Sequence, residues 1–280
     1  MLGTMTIPAL QLNDGSRIPA LGLGTYGLRG DEGIRSLLAA VGSGYRLLDT
    51  ALNYENEREV GEAVRRSGLD REELFVTTKL PGRHHGYEET LASFEESRAN
   101  LGLDYVDLYL IHWPLPKVGK YVDSWRAMIE LRDSGLVRSI GVSNFLPEHL
   151  DRLVTETGVV PSVNQVELHP HFPQAQQREY HDAHGIVTES WSPLGKGSDL
   201  LEQDAVRQVA EAHGVTPAQA VLRWHVEVGA LPIPKSGDPE RQAQNLDVFG
   251  FQLSTEEVLA ISMLETGRLW DADPATHEEF

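Results

Sequence analysis

A chain of 280 residues with 40% hydrophobic content can bury one large core, and α/β barrels routinely reach this length as one domain. Its formal net charge of -18 argues against broad contact with nucleic acid or an anionic membrane, so any anionic ligand must meet a local cluster of Lys and Arg. The absence of cysteine excludes disulfides and thiolate chemistry and fits a cytoplasmic protein; no apolar run approaches the ~20 residues of a membrane span, and Met1 to Leu10 lacks the pattern of a leader peptide.

In chain order, Ala9 to Ile18 reads as a hairpin turned by Asn13-Asp14-Gly15. Eight short apolar runs follow: Leu21–Gly24, Leu47–Asp49, Phe75–Leu80, Val106–Ile111, Ser139–Val142, Val163–Val166, Ile186–Glu189 and Leu231–Ile233. Their starts fall roughly thirty residues apart, the size of a βαβ unit, with one longer interval. Helical patterns lie between them. Ile34, Leu37, Leu38 and Val41 recur on one face before Gly44, and Val122, Trp125, Ile129 and Arg132 do the same. Thr216-Pro217-Ala218-Gln219 is a capping box that lengthens the seventh connection, and Ser254-Thr255-Glu256-Glu257 opens a helix after the eighth unit. With no linker or compositional break, residues 1–280 read as a single domain: a (β/α)8 TIM barrel with an N-terminal β-hairpin and an extra C-terminal helix and tail.

Barrel enzymes place their chemistry where strands end. Here the runs end on Thr25, Asp49, Lys79, His112, Ser143-Asn144, Gln165, Trp191-Ser192 and Lys235, a ring of polar groups converging on one mouth. Asp49, Tyr54, Lys79 and His112 stand out. A carbonyl reduced by hydride develops negative charge on oxygen and needs a proton donor. Tyrosine ionises near pH ~10; a neighbouring ammonium stabilises tyrosinate, a carboxylate holds the ammonium in place, and a histidine orients the carbonyl. Each residue alone has a structural explanation: a cap for Asp49, ordinary packing for Tyr54, a satisfied strand end for His112, a structural ion pair for Lys79. Their coincidence at successive strand ends is what points to chemistry.

The segments Leu48-Asp49-Thr50-Ala51-Leu52-Asn53-Tyr54, Thr78-Lys79-Leu80, Ile111-His112-Trp113-Pro114, Gly141-Val142-Ser143-Asn144-Phe145, Asn164-Gln165 and Ile233-Pro234-Lys235-Ser236 resemble the aldo-keto reductase signatures, in order, over nearly the whole chain. Trp191-Ser192-Pro193-Leu194-Gly195 is similar to the bacterial branch that includes 2,5-diketo-D-gluconate reductases. The resemblance implies an NADPH-dependent enzyme with Asp49, Tyr54, Lys79 and His112 as its catalytic tetrad. It implies that Ser143, Asn144 and Gln165 bind the nicotinamide carboxamide and that Trp191 stacks on the ring. Ser192, Leu194 and Gly195 would cover the pyrophosphate, Lys235, Ser236 and Arg241 would meet the adenosine phosphate, and Asn245 with Gln244 the adenine. Asp49 and Thr25 complete the cofactor set, and the stretch containing Thr25 serves cofactor and substrate. Tyr26, Trp113 and Trp270 join Tyr54 and His112 around a small carbonyl substrate, acted on by a monomer. Two departures stand out: Asp238 is expected to weaken the preference for NADPH by repulsion, and the short loop Gly195-Lys196-Gly197 to speed cofactor exchange. Pro81 to Gly86, with His84 and His85, reads as a solvated rim loop.

Three other readings compete. Gly22-Leu23-Gly24-Thr25-Tyr26-Gly27 is a literal G-x-G-x-x-G with Asp49 downstream, as in a Rossmann dehydrogenase, although the helix pattern does not begin on the third glycine. His169 and His171 could form a metal pair in a barrel hydrolase, although Pro170 and Pro173 point to an irregular loop; no metal is expected. The third is a non-catalytic NADPH-binding protein of the same fold.

Overall fold

The computed structural model describes residues 7–279; the stretch from Met1 to Leu10, read above for a leader, lies partly outside them. Strands β1 (Ala9–Gln11) and β2 (Arg17–Pro19) pair antiparallel around Asn13-Asp14-Gly15, where Gly15 takes φ 92. Asp14 Oδ1 accepts from the Ser16 amide and hydroxyl at 2.9 and 2.6 Å, which tightens the turn. The hairpin closes the N-terminal ends of the barrel strands. Leu12 and Ile18 are buried with Leu47, Phe75, Leu108, Leu110, Val163, Leu231 and Ile233, and Ser16 reaches Ser139 at 2.7 Å.

Eight parallel strands follow in sequence order: β3 (Leu23–Gly24), β4 (Leu47–Asp49), β5 (Phe75–Leu80), β6 (Val106–Ile111), β7 (Val137–Ser143), β8 (Val163–Glu167), β9 (Val187–Trp191) and β10 (Ala230–Pro232). Gly22 N donates to Pro232 O (3.1 Å) and Gly24 N to Pro234 O (3.2 Å), so the last strand bonds back to the first and the barrel closes. Gly24 lies on that seam, where a Cβ would stand 3.1 Å from Ile233 O. A doubly wound sheet would reverse its strand order; this one does not, which removes the Rossmann reading. The second to fourth runs match their strands to the residue. The others shift by one or two positions; in β7, β8 and β9 ladder pairing continues through ends such as Ser143, Glu167 and Trp191 after the apolar pattern has stopped.

The helices are α1 (Gly30–Ser43), α2 (Glu57–Arg66), α3 (Tyr87–Leu101), α4 (Tyr121–Asp133), α5 (Pro147–Thr157), α6 (Ala175–Ala183), α7 (Asp204–His213), α8 (Pro217–Glu227), α9 (Pro239–Leu246) and α10 (Thr255–Ser262). Gly44 ends α1 in the left-handed region, its amide bonded to Ala40 O and Val41 O. Both capping boxes form, at Thr216 and Ser254, and α7 with α8 makes the long seventh interval. In α4 the buried stripe runs through Val122, Trp125, Met128 and Leu131; Ile129 and Arg132 sit at its margin. The inner helix faces pack on the strands, where full burial of a side chain such as Leu37 contributes about 1.5–3 kcal/mol. Trp224 on α8 donates to Ser262 Oγ at 2.9 Å and ties down α10, after which the chain turns back over the barrel mouth. Among the described residues no helix is long and apolar enough to cross a membrane.

Candidate active site

Asp49 ends β4, Lys79 is the penultimate residue of β5, and His112 follows β6 directly. Adjacent strands in register therefore bring the three side chains to one rim. Tyr54 arrives differently, at the end of a single 3-10 turn, Leu52–Tyr54. A buried polar knot shapes that turn: Thr50 Oγ1 donates to Asn56 Oδ1 (2.8 Å), and Asn56 Nδ2 donates to Thr25 O (2.7 Å) and Leu28 O (3.1 Å). Arg29 clamps Tyr54 O from outside through Nε and Nη2 at 3.1 and 2.9 Å.

Lys79 is fully buried, and its Nζ donates to Asp49 Oδ2 (2.7 Å), Thr50 O (2.9 Å) and Tyr54 OH (3.4 Å). Burial alone would favour neutral Lys79; the Asp49 charge, the tyrosine oxygen, the Asp49 hydrogen bond and Glu189 outweigh it and raise its pKa. Tyr54 corrects the expectation drawn from charge alone. Burial raises its pKa and Asp49 and Glu279 add to that, so the Lys79 ammonium only offsets part of the rise. Burial is the largest of these effects, and Lys79, 3.4 Å from the hydroxyl, is itself paired with Asp49 at 2.7 Å, whose charge opposes it. The ring of Tyr54 meets Tyr26 and His112 edge-on, with centroids 5.2 and 5.9 Å away.

The other side of the mouth is a hydrogen-bonded floor. Gln165 Nε2 donates to Asp49 Oδ1 (3.0 Å) and to Glu189 Oε2 (2.9 Å), so both amide protons are spent and Oε1 remains to accept. Glu189 is fully enclosed; burial and the Asp49 charge push its pKa up to about 8 against the Gln165 hydrogen bond and Lys79. Asn144 sits at φ 62, a left-handed conformation that asparagine tolerates. Its Nδ2 donates to His112 O (3.0 Å) and Ser143 Oγ (3.0 Å), and its Oδ1 accepts from Trp191 Nε1 (2.8 Å). Ser143 Oγ in turn donates to Gln165 O (2.8 Å). Trp191 is thus anchored by its indole nitrogen while its ring lines the cavity.

These groups surround a cavity of about 570 Å³. Thr25, Tyr26, Asp49, Tyr54, His112, Trp113, Ser143, Asn144, Gln165, Trp191, Ser192, Leu194, Lys235 and Trp270 line it. Lys79 does not; it lies behind Asp49 and Tyr54. Gly195 also stays out of the lining. Its φ of 60 and the closeness of Ser198 and Leu200 to any added Cβ explain a glycine there without a ligand. Ser236, Arg241, Gln244 and Asn245 form a separate group on α9 and the turn before it. Ser236 Oγ accepts from Asp238 N at 3.1 Å, and Arg241 is exposed. Asp238 has a use the sequence reading missed. It caps α9, with Oδ1 accepting from the amides of Glu240 and Arg241 at 2.9 and 3.0 Å, so the helix N-terminus already balances part of its charge.

The loop after β5 is not simply solvated. His85 is buried, its pKa pushed down to about 4 by desolvation, while His84 Nδ1 pairs with Ser93 Oγ at 2.9 Å. His169 and His171 lie in the irregular turn that the prolines predict, bridged only between His169 and Phe172. His169 Nε2 meets Glu167 Oε1 at 3.1 Å, and among the described residues no three His, Asp or Glu side chains are grouped to hold a metal ion.

Several lining or supporting residues had no sequence signal. Lys196 extends from the short loop over the rings of Trp270 (5.1 Å) and Tyr26 (5.6 Å). His277 packs on Trp113 with centroids 4.2 Å apart, and Glu279 touches His112. All three act across long sequence separations, where local pattern carries no information. Glu189 was visible as a charge closing an apolar run, a pattern that marks an inward-facing group.

The aldo/keto reductase family profile matches residues 20–265. The chain is 61% identical over 273 residues to 2,5-diketo-D-gluconic acid reductase B of Corynebacterium sp. (strain SHS752001), covering 98% of this chain and 99% of that protein. Its fold superposes on a point mutant of Gox0644 solved in complex with NADPH, with TM-score 0.92, 47% identity and coverage of 97% and 99% of the two chains. It also superposes on a Bombyx mori aldo-keto reductase in complex with NADP, with TM-score 0.89, 36% identity and coverage of 95% and 96%. The chain therefore belongs to the aldo/keto reductase family.

Proposed function

We propose that this protein reduces small aldehydes, ketones or α-dicarbonyls to alcohols with NADPH, and that Tyr54 donates the proton. The observation that carries the reading is the buried chain Asp49–Lys79–Tyr54, with contacts of 2.7 and 3.4 Å, opening on a cavity that His112 also lines. The cofactor named for the superposed relatives fits the donor set here. Gln165 offers one free carbonyl oxygen for an amide, Trp191 offers an anchored aromatic face, and Lys235, Lys196 and Arg241 supply cations in an otherwise acidic chain. Trp191, Ser143, Asn144, Gln165 and Thr25 would hold the nicotinamide end. Ser192, Leu194 and Gly195 would flank the pyrophosphate, and Lys235, Ser236, Arg241, Gln244 and Asn245 the adenosine end. When bound, NADPH supplies the hydride.

The protein's own residues do the rest. Tyr54 has a raised pKa and so stands protonated at neutral pH, ready to give its proton to an oxygen that is becoming an alkoxide, a far stronger base than phenolate. Lys79 then faces the phenolate left behind, and Asp49 keeps Lys79 charged in a site that excludes water. His112 orients the substrate oxygen toward Tyr54, while Tyr26, Trp113 and Trp270 surround the rest of a small molecule. The test is an assay of NADPH oxidation over a panel of aldehydes, α-dicarbonyls and keto sugars, with alcohol product quantified. Carbonyl-dependent oxidation matched mole for mole by alcohol is expected. No oxidation with any member of the panel would remove the reading.

A further inference from the structure

Where the segment beyond α10 first reaches the barrel mouth, the turn that follows β8 holds it. Glu167 ends β8, and its side chain is buried. Three donors converge on its Oε1: the amides of Leu269 (2.7 Å) and Trp270 (3.3 Å), and His169 Nε2 (3.1 Å). Arg268 Nη1 stands 3.7 Å from Oε2, with its guanidinium 4.8 Å from the centre of the Phe172 ring. His171 O accepts from the amides of Thr266 (2.9 Å) and Gly267 (2.8 Å). The His169-Pro170-His171 turn thus has a use other than metal binding: with Glu167 it forms a cradle for residues 266 to 270 of the tail.

Glu167 pairs with Trp191 across the β8–β9 ladder, so the anchor lies beside the cavity wall. Two of its bonds fix the chain at Leu269 and Trp270 themselves. The Trp270 indole then meets Trp191 at 6.4 Å between ring centres and the Lys196 ammonium at 5.1 Å. Gln165, two residues earlier on the same face of β8, is bonded to Asp49 and Glu189, so the anchor belongs to the same rigid floor. The wall hung from it has no regular structure of its own, and a carboxylate accepting from two adjacent amides removes chain freedom at the residue that lines the cavity. Trp270 packs against Trp191 and Lys196 rather than Tyr54 or His112, so it meets a substrate at the end away from the reacting carbon.

We propose that Glu167 is a specificity-determining positioning residue: by holding the amides of Leu269 and Trp270 it sets the far wall of the cavity, and so selects for carbonyl substrates long enough to reach Trp270. This rests on the reading of the protein as a carbonyl reductase with Tyr54 at the near wall. A three-carbon dicarbonyl such as methylglyoxal ends short of Trp270, whereas a six-carbon keto sugar spans to it. Glu167 acts on the substrate only through Trp270. Its influence therefore falls on KM and not on kcat.

The test pairs steady-state kinetics with amide hydrogen exchange in the full-length protein. Glu167→Ala should raise the KM for a six-carbon keto sugar about 2- to 10-fold, the worth of one aromatic contact, with kcat and the KM for methylglyoxal nearly unchanged. Glu167→Gln keeps an oxygen for the two amides and should retain wild-type values. In a Trp270→Ala background Glu167→Ala should add nothing, because both act through one contact. Exchange at residues 269 and 270 should speed at least ~10-fold in Glu167→Ala. Should that variant not fold, Leu269→Pro removes the 2.7 Å donor from the tail side with the carboxylate in place, and the same KM pattern is expected. Equal KM rises for both substrates, or effects that add to those of Trp270→Ala, would mean general loosening and overturn the proposal. So would an unchanged KM in a variant whose exchange shows the tail released. A wild type that reduces no carbonyl would defeat the reductase reading instead, and exchange at residues 269 and 270 would still decide whether Glu167 holds the tail.

Discussion

The two sides of the cavity are built by opposite means. On one, Asp49, Lys79 and Gln165 sit on strands β4, β5 and β8, are almost wholly enclosed, and are locked by ladder register and bonds of 2.7 to 3.0 Å. On the other, Trp270 and His277 ride on a tail without regular structure, and Trp270 remains 36% exposed. That tail is pinned by carboxylates at its ends, Glu167 below and its own Glu279 above. The contrast separates two jobs. A proton donor must be held to within fractions of an ångström, which packed strand ends and the hydrogen-bonded turn carrying Tyr54 achieve, whereas fitting different substrates tolerates a movable wall. Alterations on the strand side should act on kcat, and those on the tail side on KM.

The largest effect should come from Lys79→Met. It removes the ammonium beside Tyr54 and leaves Asp49 buried without its 2.7 Å partner. We expect reductase turnover to fall by at least ~10²-fold and stability to drop by about 3–5 kcal/mol. Activity assays and denaturant unfolding check both; a variant retaining most of its rate would mean that another cation serves Tyr54.

Arg241→Ala sharpens the comparison by touching neither side. Its guanidinium is exposed on α9, outside the cavity. If it meets the adenosine phosphate, its loss removes a charge-assisted bond of roughly 1.5–3 kcal/mol and raises the KM for NADPH about 10- to 100-fold. Turnover and all NADH kinetics should stay nearly constant, since such a contact persists from ground state to transition state. Asp238 should weaken this preference less than its bare charge implies, because it caps the helix.

Three buried histidines around the barrel, in the loop after β5 and on α6 and α8, also predict an acid limit. His85, His181 and His225 are kept neutral mainly by burial, with pKa values pushed down to about 4, 3 and 3. The unfolded chain takes up these protons first as pH falls below ~6.5, so their stability is present above that pH and drains toward the folded values, on the order of 1 kcal/mol per residue by about pH 6. His225 joins Ser190 on β9 to Pro193 in the next loop at 3.1 and 3.0 Å, so this loss reaches the Trp191 wall. Denaturant midpoints should fall between about pH 7 and 5, and less in His225→Asn; a flat profile would contradict the burial account. The smallest effect is expected on the tail. Trp270→Ala should raise substrate KM about 2- to 10-fold, the worth of one aromatic contact, with kcat nearly unchanged.

The same division governs what could be read from the chain. Asp49, Lys79 and His112 were legible because a parallel strand is apolar while sandwiched and polar where it emerges, so the end of each run marks the mouth. Barrel closure followed from counting βα units. Tyr54 was found by its chemistry and by resemblance, but the direction of its pKa shift was not, because sequence shows the charge of Lys79 and hides the burial that outweighs it. The tail was nearly silent. Glu279 meets Asn53 across 226 positions and Glu167 meets Leu269 across 102, distances at which no local periodicity survives. Asp238 was read as a repelling charge because its partners are amides, which a sequence does not display.

The central claim is that Tyr54 supplies the proton from a rigid turn backed by the strand ends of Asp49 and Lys79, and single-turnover reduction by Tyr54→Phe tests it most directly. The substitution keeps the ring contacts with Tyr26 and His112 and removes only the hydroxyl that Lys79 approaches at 3.4 Å. With NADPH bound at wild-type affinity, as read by fluorescence titration, carbonyl reduction should slow by at least ~10²-fold. Reduction at a near-normal rate with NADPH bound would contradict the account.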